Sequence, residues 1–417
     1  MRVKIVFQNM QELNILNEGY NYGKLASISK GSRIKINNKS YLDLSYSAGS
    51  IILGHSNRIF KKTINEILKK NISNYAFPNI YAKKFSLTLK KIFPNFNKFI
   101  FCNTGSEAIT KGIRICRAVS GKKIIINTSG SWHGSVNETL YTSSKNHKPL
   151  KLSDGLPKYT KNELKFIPYG DKVKSREILE KYKNKISCIL IEPIQGALPS
   201  SSKLEYIKFL YKYAKKNNII IFFDEIITGL RDSKNSFQTR FKMKPDISVF
   251  GKSFAGGLPI GIISLNKKIN DKIKSQKLNI FFGGTFSGNS IIMFVANSIT
   301  NYLFKNKKKR HDLEKKTDKF KLELNNFINI NNIDARIYSY SSMVRIVFSK
   351  KNIINRTQRD FFEKDNKKII NKFAQYLWKK GIYFPRNGII FFSLANTKKD
   401  INYIKKTIED GLKLLLK

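Results

Sequence analysis

The feature that most constrains this chain's fold is a series of short segments that are apolar at nearly every position. Residues 123–126, 188–191, 219–223 and 247–250 are dominated by isoleucine, valine, leucine and phenylalanine. A strand with one face in water alternates polar and apolar residues, whereas a strand covered on both faces does not. Helical patterns, such as the one at 204–216, separate these segments. The sequence therefore predicts an α/β fold, with a mostly parallel sheet covered by helices on both faces.

The length of the chain and the order of its predicted elements indicate a large domain and a smaller one. The chain has 417 residues, more than one compact core normally holds. We expect residues 1–58 to form an N-terminal segment contributing to the small domain, residues 59–290 the large domain, and residues 291–417 the rest of the small domain. A hairpin is predicted at 32–44, and the polar stretch 349–366 is predicted to be an exposed loop.

The most unusual compositional property is a formal net charge of +49, from 78 Lys+Arg against 29 Asp+Glu. Such a charge is typical of proteins that bind nucleic acid. Here, however, the lysines are spread over the whole chain and no nucleic-acid-binding motif accompanies them. The densest cluster, at 305–310, fits the solvated start of a helix. We therefore expect no specific nucleic-acid partner.

Cysteine usage and hydropathy bear on where the protein works. Cys102, Cys116 and Cys188 each lie among apolar neighbours without disulfide-like or metal-like spacing, so we expect buried thiols and no metal site. No apolar stretch approaches the length needed to cross a bilayer, and the first residues do not resemble a signal peptide. We expect a soluble, cytoplasmic protein with no membrane partner.

One lysine stands at a position that favours covalent chemistry. Lys252 follows the apolar strand 247–250 after one glycine, Gly251, and precedes the glycine pair Gly256–Gly257. A lysine carried into apolar surroundings can have its amine pKa lowered and can attack a carbonyl. The aldehyde of pyridoxal 5'-phosphate (PLP), held as a Schiff base, is the carbonyl that this position suggests.

A carboxylate also follows one of the apolar strands. Asp224 comes directly after 219–223, and a carboxylate there is costly to bury unless it is paired. A protonated pyridine nitrogen is a suitable partner, because the paired ring then acts as an electron sink. The alternative is an ordinary aspartate at the N-cap of a helix.

Two glycine-containing turns and one aromatic residue complete the candidate site. Gly105 and Ser106 open a helical pattern after the strand 98–102 and can bind a phosphate through backbone amides and a hydroxyl, although an ordinary helix cap has the same sequence. Thr285 can be a second phosphate donor or part of a plain glycine-rich loop. Trp132 can stack on a cofactor ring, with His133 hydrogen-bonding nearby, although for the tryptophan taken alone core packing is the better interpretation.

Together these stretches resemble the class III PLP-dependent aminotransferases, and most closely the glutamate-1-semialdehyde aminomutase branch. The resemblance runs from about residue 31 to about residue 410. The matching pieces are Ile52–His55, Asn103–Ala108, Trp132–Gly134, Ile191–Pro193, Asp224–Arg231, Gly251–Lys252, Gly257–Gly261 and Gly284–Asn289. The resemblance implies the aspartate aminotransferase-like PLP-dependent transferase fold, fold type I.

The resemblance also implies roles for individual residues. Lys252 would bind PLP and then move protons between substrate and cofactor, Asp224 would pair with the pyridinium nitrogen, and Ile226 would pack under the ring. Gly105, Ser106, Trp132 and His133 would complete the cofactor contacts. Thr285 would reach the phosphate of the neighbouring subunit's cofactor, so a homodimer is expected. The small-molecule partners would be an amino donor and a carbonyl acceptor.

The regions that would contact the substrate depart from the aminomutase pattern. Residues 18–24 lack the Pro-Val-Arg that helps to bind the substrate carboxylate, and residues 384–390 lack the aminomutase glutamate. The sequence therefore predicts an aminotransferase acting on another substrate, a small carbonyl metabolite or a keto-sugar. An aminomutase that makes 5-aminolevulinate is the alternative, and a non-catalytic basic binding protein on the same fold is a remote one.

Overall fold

The first part of the fold is a small antiparallel sheet followed by helices. The computed structural model describes residues 26–75, 77–144, 146–385 and 387–416. The first strands and helices are β1 (Ala26–Lys30), β2 (Arg33–Ile36), β3 (Lys39–Asp43), the short α1 (Tyr46–Gly49), α2 (Arg58–Lys69) and α3 (Ile80–Ile92). The predicted hairpin is confirmed as β2 and β3. Asn37 and Asn38 form its turn with positive φ angles, which asparagine tolerates better than most residues.

The middle of the chain alternates strands and helices as predicted. In chain order its elements are β4 (Phe96–Cys102), α4 (Gly105–Ser120), β5 (Ile124–Thr128), β6 (Tyr141–Ser143), β7 (Pro149–Lys151), α5 (Lys158–Glu163), β8 (Leu164–Ile167), α6 (Lys172–Tyr182), β9 (Ile186–Ile191), α7 (Leu204–Lys216), β10 (Ile220–Asp224), α8 (Phe237–Arg240), β11 (Ile247–Gly251), β12 (Gly261–Asn266) and α9 (Lys267–Ser275). Short 3₁₀ helices lie at Lys183–Lys185 and Lys252–Ala255.

Seven of these strands form one sheet in the order β4-β12-β11-β10-β9-β5-β8. Only β12 runs against its two neighbours, β11 and β4, while the pairs from β11 to β8 are parallel. The two faces of the sheet carry separate cores. Phe222 packs with Ile109 and Ile113 of α4, whereas Phe223 packs with Ile207 and Leu210 of α7. Because both faces are covered, the central strands β9, β10 and β11 are mostly apolar, as the sequence indicated.

The C-terminal part forms a second, smaller core. Its elements are α10 (Ser290–Lys305), α11 (Lys307–Ile330), β13 (Arg336–Tyr340), β14 (Met343–Val347), α12 (Arg356–Phe362), α13 (Lys367–Lys379), β15 (Ile382–Tyr383), β16 (Ile389–Phe391) and α14 (Lys398–Leu416). Strands β13, β14 and β16 make one sheet, and β15 joins the N-terminal sheet beside β3. This pairing supports an N-terminal contribution to the small domain, and the division at residues 58 and 290 stays a prediction.

Two expectations about charged segments need correction. The stretch 349–366 is not simply an exposed loop, because it contains α12 and buries the ion pair between Arg359 and Glu363. The basic cluster at 305–310 does start helix α11, with Lys307 to Lys309 exposed, but Arg310 is buried. Its guanidinium donates to the carbonyl oxygens of Leu230, Asp232 and Leu303. In both segments an arginine is buried because the fold supplies it with buried acceptors. The sequence alone does not reveal those acceptors.

The prediction that the three cysteines are buried thiols is confirmed. Cys102, Cys116 and Cys188 are all buried and unpaired. Burial raises the pKa of the Cys102 thiol to about 12, so this thiol stays protonated at neutral pH. Within the described ranges, every helix is too short or too polar to cross a membrane.

Candidate functional site

The carboxyl ends of the central strands bring the predicted residues to one edge of the sheet. Asp224 ends β10, and Lys252 follows β11 directly. Gly251 pairs with Gly261, and Gly261 pairs with Cys102, so the start of α4 lies at this same edge. In open α/β sheets this edge is where ligands bind.

Lys252 is a partly exposed lysine that the backbone delivers in an unusual conformation. Its φ angle is 45°, in the left-handed region that residues other than glycine seldom adopt. Its Nζ atom donates a 2.8 Å hydrogen bond to the carbonyl oxygen of Ala48. Burial lowers the pKa of Lys252 to about 8, and the positive charge of Arg231 acts in the same direction. A substantial fraction of this amine is therefore neutral, and so nucleophilic, near pH 8.

Asp224 is held by a buried hydrogen-bond chain. Its Oδ2 atom lies 2.8 Å from Nδ1 of His133, and its Oδ1 atom accepts a 3.1 Å bond from the Ile226 N–H. The other ring nitrogen of His133 lies 3.0 Å from Oδ1 of Asn127. The carboxylate caps a turn rather than a helix, so the helix N-cap alternative is wrong. These contacts fix the orientation of a carboxylate that is only 4% exposed.

A second carboxylate lies beside the first, although its role was not predicted from the sequence. Glu192 follows β9 and accepts hydrogen bonds from the N–H groups of Trp132, at 3.0 Å, and Gly196, at 2.9 Å. Burial raises the pKa of Glu192 to about 7, and the neighbouring charge of Asp224 adds to the effect. The signal was available, since Glu192 follows a wholly apolar strand just as Asp224 does.

The start of α4 has two neighbouring glycines at which a side chain would not fit. A Cβ atom at Gly105 would collide with the side chain of Ile226, and a Cβ at Gly134 would collide with Oγ of Ser106. The Ser106 Oγ also accepts a 3.1 Å bond from the Ser135 N–H. Thr104 caps the helix by accepting from the Glu107 N–H. The amides of the first turn and the Ser106 hydroxyl therefore form an anion-binding helix start, with Ile226 packed against it.

Among the predicted site residues, Trp132 and Thr285 are exposed to solvent. The Trp132 side chain is 47% exposed, so core packing is the wrong interpretation for it. Thr285 is exposed on the loop between α9 and α10. The structure therefore brings Lys252, Asp224 and His133 together at the strand ends and presents these two side chains at the surface.

Sequence reasoning also missed a left-handed turn and the arginine that holds it. Tyr46, Ser47, Ala48 and Gly49 all have φ between 44° and 82°. Arg231 is buried and donates to the Gly49 carbonyl oxygen. Three consecutive residues with side chains in this region are strained, and such strain concentrates at functional sites.

The two regions that depart from the aminomutase pattern are described unequally. Residues 18–24 lie outside the described residues. In the other region, Gly388 has a φ of 71° and lies against the guanidinium of Arg345, with which any side chain at 388 would collide. Phe391 lies under the guanidinium of Arg231, 4.9 Å from ring centroid to Cζ, and so beside the left-handed turn.

Comparisons with known proteins agree with this geometry. Residues 22–408 match the family model described as aminotransferase class III. The chain is 30% identical to a glutamate-1-semialdehyde 2,1-aminomutase of Thermosipho melanesiensis over 92% of this chain and 90% of that protein. It is 32% identical to the protein of the same name from Wigglesworthia glossinidia brevipalpis, over 94% and 90%.

Solved structures confirm the predicted fold class. An omega-transaminase from Sphaerobacter thermophilus superposes with a TM-score of 0.88 at 18% identity, covering 96% of this chain and 93% of that one. A glutamate-1-semialdehyde-aminomutase from Pseudomonas aeruginosa PAO1 gives 0.85 at 15% identity, covering 94% and 88%. The resemblance found in the sequence is thus confirmed, and the chain belongs to the class III aminotransferase family.

Proposed function

We propose that this protein is a PLP-dependent aminotransferase in which Lys252 binds the cofactor covalently. The observation that carries the proposal is the meeting of three groups at one sheet edge: the Lys252 amine, the Asp224 carboxylate and the start of α4 at Gly105. PLP supplies an aldehyde that an amine can attack and a pyridinium ring that withdraws electrons.

The residues present fit that cofactor in size as well as in chemistry. Gly105 and Gly134 keep the helix start free of side chains, which lets a phosphate approach the backbone amides. Ile226 lies between Gly105 and Gly251, where it can support one face of a flat ring. The exposed indole of Trp132 is free to cover another face, and Asp224 can accept a hydrogen bond from a ring N–H.

Each of these residues then has a distinct task. Lys252, with its lowered pKa, can both form a covalent bond to the cofactor and carry a proton near neutral pH. Asp224, oriented by His133, would pair with the ring nitrogen. Glu192 holds the backbone of Trp132 and so positions the loop that carries the aromatic residue.

The substrate we propose is a small carbonyl metabolite or a keto-sugar. Support comes from the segment that leads into Phe391, which lies against Arg231 beside the left-handed turn. The sequence of residues 384–390 contains no carboxylate, and Gly388 has no room for a larger side chain while Arg345 stays in place. The aminomutase glutamate therefore has no counterpart in this segment.

The experiment is a spectral screen of amino donors against the PLP-loaded protein. A true donor converts the absorption of the lysine-bound aldehyde to that of pyridoxamine phosphate, and a keto acceptor reverses the change. The Lys252→Ala variant should fold and form no borohydride-stable adduct, while Asp224→Asn should bind PLP but convert it ~10²–10³-fold more slowly. If the wild type neither binds PLP nor forms an adduct at Lys252, the proposal is wrong.

An aminomutase is the second candidate, favoured by the curated relatives of about 30% identity that carry that name. It predicts that protein loaded with pyridoxamine phosphate makes 5-aminolevulinate from glutamate-1-semialdehyde without a separate amino acceptor. Failure of the fully loaded protein to make this product, together with conversion by other amines, eliminates it.

We further propose that the working unit is a homodimer in the cytoplasm. The loop around Thr285 is flanked by exposed apolar side chains, Phe281 at 74% and Phe286 at 60% exposure. Asn79 donates a 2.9 Å hydrogen bond to the Gly288 carbonyl oxygen at the end of this loop, and Phe77, two residues before Asn79, is 78% exposed. An exposed apolar patch of this kind is typical of a protein interface. Sedimentation at micromolar concentration should give twice the chain mass, and a monomer would contradict the proposal.

A further inference from the structure

Lys111 is a buried lysine of helix α4 that the candidate site does not use. It is only 5% exposed, and three acceptors surround its ammonium group. These are Oε1 of Glu107 and the carbonyl oxygens of Phe282, at 2.8 Å, and Gly283, at 3.1 Å. An ammonium has three protons, so all of its donors are used. A lysine that is buried and fully satisfied in this way holds its acceptors in fixed positions.

The first partner of Lys111 connects it to the phosphate-binding turn. Glu107 accepts a 2.8 Å bond from the N–H of Asn103 through its other oxygen, Oε2. Asn103 lies at the entrance to the turn that carries Gly105 and Ser106. Burial acts to raise the pKa of Glu107, but the hydrogen bonds from Lys111 and Asn103 outweigh it and hold the pKa below its usual value. The carboxylate is therefore charged, and the pair is a true ion pair.

The other two partners of Lys111 connect it to the loop that carries Thr285. Phe282 and Gly283 precede this threonine, and Arg114 adds a 2.9 Å bond to the Phe281 carbonyl oxygen. Helix α4 therefore binds three consecutive carbonyl groups of the loop. Beyond them, Thr285 and Phe286 are exposed and lie on the apolar face that we assign to the dimer interface.

We propose that Lys111 is a positioning residue that fixes the Thr285 loop on helix α4 and thereby sets the cofactor affinity of the neighbouring subunit. The inference rests on the proposed homodimer and on the role that the family resemblance implies for Thr285, at the phosphate of the neighbouring subunit's cofactor. Without Lys111, the carbonyls of Phe282 and Gly283 lose their donor, and the loop keeps the Arg114 bond but loses its other two bonds to α4. The start of α4 keeps its own cap, Thr104, so the phosphate site of the same subunit is less affected.

Mixed dimers test whether Lys111 acts on the cofactor site of the neighbouring subunit more than on that of its own subunit. One subunit carries Lys252→Ala, so that only the other subunit forms the absorbing lysine-bound cofactor and reports its own PLP affinity. Lys111→Met is then placed either in the reporting subunit or in the Lys252→Ala subunit. We expect PLP affinity at the reporting site to fall roughly tenfold when the substitution is in the partner, and to change much less when it is in the reporting subunit itself.

Lys90→Met is the matched control, because Lys90 also binds two backbone carbonyls, those of Pro94 and Phe96, away from the Thr285 loop. It should leave the affinity unchanged in both arrangements. Equal weakening in the two Lys111→Met arrangements, or weakening only in the reporting subunit, overturns the inference, as does a monomeric protein. Loss of PLP binding by unsubstituted dimers instead refutes the proposed function itself. Because both arrangements carry the same substitution, a general loss of stability cannot mimic the expected difference.

Discussion

The Nζ atom of Lys252 donates a 2.8 Å hydrogen bond to the carbonyl oxygen of Ala48, a residue 204 positions earlier in the chain. Ala48 lies in a left-handed turn in which Tyr46 and Ser47 also have positive φ angles. Arg231 binds the next carbonyl oxygen, that of Gly49. The N-terminal segment therefore supplies one wall of the site around the reactive lysine.

The lowered pKa of Lys252 predicts the pH dependence of PLP capture. Only the neutral amine attacks the aldehyde, and burial brings the pKa of Lys252 from 10.5 to about 8. The rate of adduct formation by the apoprotein should therefore rise with pH and reach half of its plateau near pH 8. Stopped-flow absorbance measures this rate. A midpoint near that of a free lysine side chain would contradict the assignment.

Arg231→Met should move that midpoint to higher pH. The guanidinium of Arg231 disfavours a second positive charge on Lys252, so its removal raises the pKa of the amine. The same substitution leaves the Gly49 carbonyl oxygen without its donor and should lower the free energy of unfolding by about 3 kcal/mol. Arg345→Met, which removes another buried guanidinium, should destabilise the protein without moving the midpoint. Equal midpoints in all three proteins would refute the prediction.

The raised pKa of Glu192 predicts a pH-dependent difference in stability. The folded protein holds a proton on Glu192 up to a pKa of about 7, whereas the unfolded chain releases it near pH 4.5. The folded state thus binds more protons in this window, and stability is lost as the pH rises through it. Relative to Glu192→Gln, the wild type should lose up to about 3 kcal/mol between pH 4 and pH 8. Urea unfolding of the apoproteins measures this, and Glu177→Gln, at an exposed position of α6, should give a curve parallel to that of the wild type.

Because the left-handed turn is strained, replacing one of its residues with glycine should stabilise the protein. Ser47 is exposed with a φ of 52°, a conformation that glycine adopts without penalty. Ser47→Gly should therefore stabilise the protein by up to about 1 kcal/mol. Ser86→Gly, at a half-buried position inside α3, should destabilise it by about 0.5–1 kcal/mol. Thermal unfolding of both variants checks the signs, and destabilisation of similar size by both would show that the turn is not strained.

Much of the site could be predicted because its residues follow buried strands. Lys252 and Asp224 stand where wholly apolar strands end, and the parallel arrangement of those strands places their ends at one edge. The interpretations that rested on a single residue were weaker. Core packing is the better interpretation of Trp132 from the sequence alone, but the residue is exposed. The prediction fails because a lone aromatic residue belongs to no periodic pattern that would show whether it is buried.

The sequence by itself determined the α/β fold, the strand ends and the family, because these follow from local periodicity and from short ordered motifs. Only the tertiary structure decided which charged groups are buried and what they hold. Among 78 Lys+Arg residues, nothing local distinguishes Lys111 or Arg231 from the solvated majority. Their partners lie far away in the sequence, at Phe282 and at Gly49. A buried charge is defined by acceptors that the folded chain brings to it, and those acceptors are backbone carbonyls, which every residue possesses.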